Sequence, residues 1–396
     1  MLYSQGKTDC TPSEAGYDES RIQVLNRHFQ MMIDDGLIQC ASYCVSRHGK
    51  VFMHGAIGKK SYRNDDPTTL TPDCINFVAS ITKVFTAVAI MKLVEDGKTR
   101  LNMPVGEILP QFKTPPFSVI TLFHLLTHTS GLYADPDCFE NKYQSNYWNQ
   151  ISILYDMHNP ETGEFDWISA GLSTIGNGLM VKPDTEWAYC TFGFLILGAV
   201  IEKLSGMNAC QYIEENILKP LRMTDSGFDI TIDTAKRFIL SNETHEKRIN
   251  DILNGTAESH PLWDRIPNTG YGLISTPYDL IRFGNMMIFS GRLDGERILG
   301  RKAVEMMTRP AIHNKPDYCW GANTPDRCYG IGFDMRNDVG LTQSPGMFMH
   351  EGSGACSLYI DPKEEFTAAW FVPFAKEGWF VEAQFSVQNI IWSGII

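Results

Sequence analysis

The residues with the clearest chemical content are Ser80 and Lys83, in the run Ser80-Ile81-Thr82-Lys83. A serine three residues before a lysine on a helix places hydroxyl and ammonium on one face, about one turn apart. The run that follows, Val84 to Met91, is apolar and reads as a helix that the serine opens. The positive end of a helix favours alkoxide character at a serine oxygen. A lysine among apolar neighbours has its charged form destabilised, so its pKa falls toward a range where it accepts a proton. Together the pair makes an activated nucleophile for acyl transfer. Ser4-Gln5-Gly6-Lys7 has the same spacing, but it sits in a polar tail with no helical pattern to hold it.

Three later segments extend the set: Leu125-Leu126-Thr127-His128-Thr129-Ser130-Gly131-Leu132, then Tyr189-Cys190-Thr191-Phe192-Gly193-Phe194, then His350-Glu351-Gly352-Ser353-Gly354. In this order and spacing the chain resembles the serine β-lactamase and penicillin-binding-protein superfamily. Within it, the nearest branches are class C β-lactamases and family VIII carboxylesterases. The resemblance runs from about residue 20 to the C-terminus.

It implies an α+β fold: an antiparallel sheet flanked by helices, with an inserted all-helical lobe and the active site in the cleft between. On this reading residues 1–98 and 268–396 build the sheet domain and residues 99–267 the mostly helical one. Ser80 is then the nucleophile and Lys83 its proton acceptor or electrostatic partner. Tyr189 matches the tyrosine that acts as general base, or as acid toward the leaving group. To accept a proton near neutrality its phenol must lie well below the ordinary value of roughly 10, with Lys83 and a protonated His350 as the expected causes. The backbone N–H groups of Ser80 and Ser353 are the implied oxyanion hole, and Gly352 is expected to let the backbone approach a ligand closely.

Two departures from the β-lactamase pattern bear on substrate. Thr191 stands where the resemblance implies Asn, an amide that helps hold the lysine and the acyl amide of a β-lactam. A threonine hydroxyl can bond Lys83 but cannot supply acceptor and amide donor together. His350-Glu351-Gly352 stands where Lys-Thr-Gly is implied, whose lysine pairs with a substrate carboxylate. Histidine titrates near neutrality, and Glu351 adds negative charge unless strand alternation turns it away. An ester has no such amide to satisfy, so the esterase reading loses little at Thr191, and at His350 the resemblance favours the esterase and D-amino-acid peptidase branches.

The 396 residues are 43% hydrophobic and 20% charged, enough for a large core. A formal net charge of −12 argues against a nucleic-acid partner. The longest apolar stretch, Phe192 to Ile201, is far too short to span a bilayer. Met1 to Thr8 lacks the basic and apolar regions of a secretory signal. The ten cysteines form no Cys-x-x-Cys pair and read as reduced thiols of a cytoplasmic enzyme. No metal or cofactor motif is present, and no Gly-x-Ser-x-Gly elbow.

The coarse elements are a helix over Glu19 to Gly36, strands over Ala41 to Ser46 and Val51 to Gly55, and the Ser80 helix closed by Gly97. From Leu101 to Pro267 the pattern is mostly helical, with long polar connections such as Asp135 to Asn146. Helices follow at Tyr278 to Phe289 and Val381 to Trp392, and strands at Ser357 to Ile360 and Phe366 to Val372. His128 reads as a landmark of the fold. Tyr318, Trp320, Tyr329 and Phe333 fit either an acyl-pocket wall or core.

The expected activity is hydrolysis of small carboxylic esters through an acyl-enzyme on Ser80. The alternatives are a β-lactamase, a D-amino-acid peptidase or amidase, or an acyltransferase to an alcohol. A different class of reading is a decayed scaffold that only binds an acyl ligand.

Overall fold

Strands from the two ends of the chain close into one sheet. The structure, a computed structural model, describes residues 2–135, 138, 166–176, 178–257, 266–335, 340–353, 356–375 and 382–396. The sheet comprises β1 (Tyr3–Gln5), β2 (Cys40–Arg47), β3 (Lys50–Gly58), β4 (Phe348–Gly352), β5 (Cys356–Asp361) and β6 (Phe366–Phe371), in the order β1-β3-β2-β6-β5-β4. Every neighbouring pair is antiparallel.

β2 is buried along its whole length, so both faces of the sheet are covered. Alternation along the strands sorts side chains between the two layers. Ala41, Tyr43, Val45, Tyr359 and Trp370 face α1 (Ser20–Asp34) and the C-terminal helix Val387–Trp392, where Leu25, Phe29, Met32 and Ile391 meet them. Cys40, Cys44, Leu358, Ile360 and Phe371 face the other way, toward Leu280, Phe283 and Met287 of the helix Pro277–Ile288. Fully burying each such side chain contributes on the order of 1.5–3 kcal/mol. Gly284 lets this helix sit tightly on the sheet, since a Cβ there would lie 2.3 Å from Thr367 Cγ2.

Behind that layer runs α2 (Thr82–Glu95), buried at every position from Thr82 to Met91. A helix apolar on all sides belongs inside a core. Gly97, left-handed at φ 71°, terminates it as expected. α2 packs on α3 (Thr191–Ser205), itself buried from Thr191 to Ile201. The helices described between Leu122 and Leu253 are inserted between the sheet-forming ends, giving an α+β fold with an antiparallel sheet flanked by helices. No single described helix is long and apolar enough to cross a membrane.

The N-terminal tail is not loose. Tyr3, Ser4 and Gln5 pair with Ile57, Ala56 and Gly55 as the edge strand. Extended backbone cannot bring Ser4 and Lys7 together as a helical turn would, so this second Ser-x-x-Lys lacks the geometry of the first.

Candidate active site

Ser80 is placed by backbone pairing on its N-terminal side and by helix burial on the other. Asn76–Phe77 pairs with Ile274–Ser275, and the Val78 N–H continues this by donating to Leu273 O at 3.0 Å. Ser80 then lies in a single 3₁₀ turn, Ala79–Ile81, directly ahead of α2. Ala79 holds a left-handed φ of 44°, an uncommon conformation for a non-glycine residue and a local strain that the surroundings must hold. Thr82 Oγ1 donates to Ala79 O at 2.6 Å and accepts from the Leu273 N–H at 3.0 Å. Thr86 Oγ1 donates to Thr269 O at 2.7 Å. Residues 269–273 are thereby fastened along the first turns of α2.

That fastening supplies the second partner of Lys83. Its Nζ donates to Ser80 Oγ at 3.0 Å and to Gly270 O at 2.9 Å. Lys83 has no solvent exposure, and burial pulls its pKa down to about 8 against the opposing field of Asp135. Hydroxyl and amine thus stand together at the start of α2, as their three-residue spacing implies.

Tyr189 comes from the segment leading into α3. Its phenol lies beside Ser80, and Lys83 Nζ stands 4.8 Å from its ring centroid. Its peptide is held between two thiols: the N–H donates to Cys319 Sγ at 3.5 Å, and Cys138 Sγ donates to Tyr189 O at 3.9 Å. The expected depression of the phenol does not occur. Burial, reinforced by the Asp135 charge, pushes Tyr189 well above the ordinary tyrosine value. The phenol is therefore protonated at neutral pH, a proton donor at rest rather than a base.

Thr191 departs from expectation as well. Its hydroxyl does not reach for Lys83; it donates to Asp135 Oδ2 at 2.6 Å, while the Thr191 N–H donates to Asp135 Oδ1 at 2.7 Å. Asp135, which sequence reasoning passed over as the start of a long polar connection, caps α3 and faces the lysine.

His350 lies on β4, buried, its ring centroid 6.5 Å from that of Tyr189 and its Nδ1 2.8 Å from Glu351 O. Glu351 points to the opposite side of the sheet, where Tyr359 donates its hydroxyl to Oε1 and the Gln384 amide reaches both oxygens at 2.8 and 3.0 Å. Strand alternation thus keeps its charge out of the cleft.

Gly352 admits a close approach of backbone from the Ser80 turn. A Cβ there would lie 2.2 Å from Val78 O and 3.3 Å from Ala79 Cβ. Ser353 follows at the end of β4, exposed beside that turn.

His128 stacks on Tyr189, centroids 4.4 Å apart, and its Nδ1 accepts the Cys190 N–H at 3.0 Å. Burial, with Lys83 and His350 nearby, holds it far below the ordinary histidine value and hence neutral. It buttresses the tyrosine. The aromatic segment divides: Tyr329 and Phe333 are core, whereas Trp320 is 59% exposed, at φ 52°, with its ring 5.2 Å from that of Tyr189. Trp320 is therefore an exposed aromatic edge beside Tyr189. Cys190 is buried, and its thiol is pushed up to about 12. Iodoacetamide should leave it unmodified in the folded protein, as peptide mass spectrometry before and after unfolding would show.

A serine on the opening turn of a buried helix, one turn from a buried lysine, in this antiparallel α+β frame defines the class of serine β-lactamase-like hydrolases. The family model described as Beta-lactamase matches residues 25–382, and the chain belongs to that family. Among curated proteins, a putative D-alanyl-D-alanine carboxypeptidase from Salmonella typhi is 24% identical, the alignment covering 90% of this chain and 83% of that one. Two solved structures share the fold. One is EstCE1, described as a hydrolase with promiscuous acyltransferase activity (TM-score 0.73, 18% identity, 94% of this chain and 99% of that one). The other is a family VIII carboxylesterase (TM-score 0.68, 16% identity, 96% and 98%).

Proposed function

We propose that the protein is a carboxylesterase that cleaves small uncharged esters through an acyl-enzyme on Ser80. The observation that carries this reading is the desolvated Lys83 amine 3.0 Å from the Ser80 hydroxyl. Neutral Lys83 removes the Ser80 proton as Oγ attacks the ester carbonyl. The protonated Tyr189 phenol then hands its proton to the departing alkoxide, and the phenolate left behind takes the proton that the neighbouring Lys83 ammonium received from Ser80. Water reverses the sequence and frees the acid. The Ser80 and Ser353 N–H groups receive the oxyanion; losing one such donor costs about 100- to 1,000-fold. Trp320 provides an apolar edge for the acyl or alcohol group.

The choice of esters rests on what stands at two positions. Thr191 spends both its hydroxyl and its N–H on Asp135, so it offers no amide recognition. His350 replaces the fixed cation that a carboxylate-bearing β-lactam or D-peptide would pair with. The family VIII carboxylesterase and EstCE1, which share the fold, are in keeping with an ester substrate, and the latter's title is in keeping with acyl transfer to an alcohol.

Purified protein should hydrolyse p-nitrophenyl butyrate much faster than nitrocefin. Its kcat/KM should rise with pH through about 8, because the active base is neutral Lys83 and its pKa has been lowered to that value. Raised Tyr189 adds no descending limb until the solution is strongly alkaline. Dominant nitrocefin turnover would overturn the ester assignment, and an ascending limb near pH 6 would overturn Lys83 as the base.

A further inference from the structure

Trp320 is the one tryptophan among the described residues that the fold leaves in solvent, whereas Trp167, Trp187, Trp370 and Trp392 are buried. It is fixed there by backbone contacts. The segment before it bridges to the run that leads into Tyr189: the Trp187 N–H donates to Pro316 O at 3.0 Å, and the Tyr189 N–H to Cys319 Sγ at 3.5 Å. The Cys319 N–H donates to Asp317 Oδ1 at 2.8 Å, and the Trp320 N–H to Cys138 O at 2.7 Å. Trp320 itself is left-handed, at φ 52° and ψ 38°, a conformation that a bulky side chain keeps only when its surroundings enforce it. These contacts hold the indole with its ring centroid 5.2 Å from that of Tyr189 and its plane tilted by 56°. His128, Trp187, His350 and Lys83 also meet the Tyr189 ring, and all four are buried. The indole is the neighbour of the phenol that reaches solvent.

We propose that Trp320 is a specificity-determining residue for the alcohol half of the ester, selecting benzylic alcohols and phenols by packing their ring against its indole. The proposal deepens the carboxylesterase reading above and rests on it. In that reading Tyr189 gives its proton to the departing alkoxide, so the alcohol oxygen lies at the phenol as the bond breaks. The substituent on that oxygen has to continue toward solvent, and the side chain beside the phenol in that direction is Trp320. Aromatic rings pair best when offset or edge-to-face, with centroids about 4.5–7 Å apart, and an exposed indole has a face free for such a partner. The acyl half stays on Ser80 while the alcohol leaves, so the indole discriminates among alcohols and not among acids.

Three esters separate the two halves. Benzyl butyrate and ethyl butyrate differ only in the alcohol, and the two alcohols are similar in acidity; ethyl phenylacetate and ethyl butyrate differ only in the acyl group. In Trp320→Ala the ratio of kcat/KM for benzyl to ethyl butyrate should fall about tenfold, the scale of one aromatic contact. The ratio for ethyl phenylacetate to ethyl butyrate should stay as in wild type. Trp320→Phe, which keeps an aromatic face, should retain most of the alcohol ratio. Trp320→Leu should lose it, and it serves if Trp320→Ala does not fold. An unchanged alcohol ratio in a folded variant without the ring, or a fall in the acyl ratio, would overturn the assignment. Binding of benzyl alcohol, followed by saturation-transfer NMR, needs no turnover and should weaken in Trp320→Ala. Weaker binding there, with a wild type that cleaves none of the three esters, would sink the hydrolase reading and leave the aromatic alcohol site standing. Equal binding in the two proteins would overturn the proposal.

Discussion

Ser80→Ala should lose about a million-fold in kcat on p-nitrophenyl butyrate, and Lys83→Met should come close to it, since deleting one member of a nucleophile–base unit removes nearly the whole effect. The double variant should be no worse than Ser80→Ala. The reason is the 3.0 Å contact between Lys83 Nζ and Ser80 Oγ, which makes the two groups one proton-transfer device. Lys83→Met carries a second expectation with the opposite sign. The native ammonium is fully buried and, among the described residues, is hydrogen-bonded only to a hydroxyl and a carbonyl. An apolar chain of similar length removes the cost of desolvating that charge. Thermal melts of Lys83→Met should therefore equal or exceed wild type while activity collapses. Loss of both stability and activity would mean that Lys83 holds the fold together and that its catalytic role must be argued again.

Gly352→Ala should reach the same chemistry from the far end of the chain. The added methyl would lie 2.2 Å from Val78 O and 3.0 Å from Val78 C, so backbone must move. Overpacking of this kind costs about 1–3 kcal/mol, read as a lower urea midpoint. The strand and the Ser80 turn part at the point where Ala79 already holds a left-handed φ of 44°. A displacement near 1 Å between nucleophile and its partners costs on the order of 100-fold in rate, which kcat/KM on the same ester would show. Gly178→Ala is the control, because a Cβ there has nothing within 4 Å; it should leave both readouts unchanged. If Gly352→Ala behaves like Gly178→Ala, the contact between β4 and the Ser80 turn is slack, and the site owes its precision to something else.

What the sequence determined by itself is the part of the site that local geometry controls. Ser80 and Lys83 meet because three residues along helical backbone make about one turn, and the apolar run after them forces that turn into the core. Four of the six sheet strands were readable in the sequence, and α1 and α2 to within a residue or two, whereas the edge strand Tyr3–Gln5 read as a polar tail. Tyr189 and the fold itself were legible through the resemblance. Glu351 turned away as strand alternation allows.

The rest depended on contacts between segments far apart in the chain, which leave no periodic trace. Asp135 is 56 residues from Thr191 and stands at the edge of a stretch that reads as a polar connection, so nothing marked it. Gly270 is 187 residues from Lys83, and it contributes a carbonyl, which every residue has. The purpose of Gly352 became visible only once Val78 lay against it. Tyr189 shows why charge states in particular needed the tertiary structure. Counting cations along the sequence lowered its phenol, but the fold buried it and set it in the field of Asp135, and both raise it. Sequence therefore named the groups proposed to do the chemistry; three-dimensional burial decided which of them holds the proton.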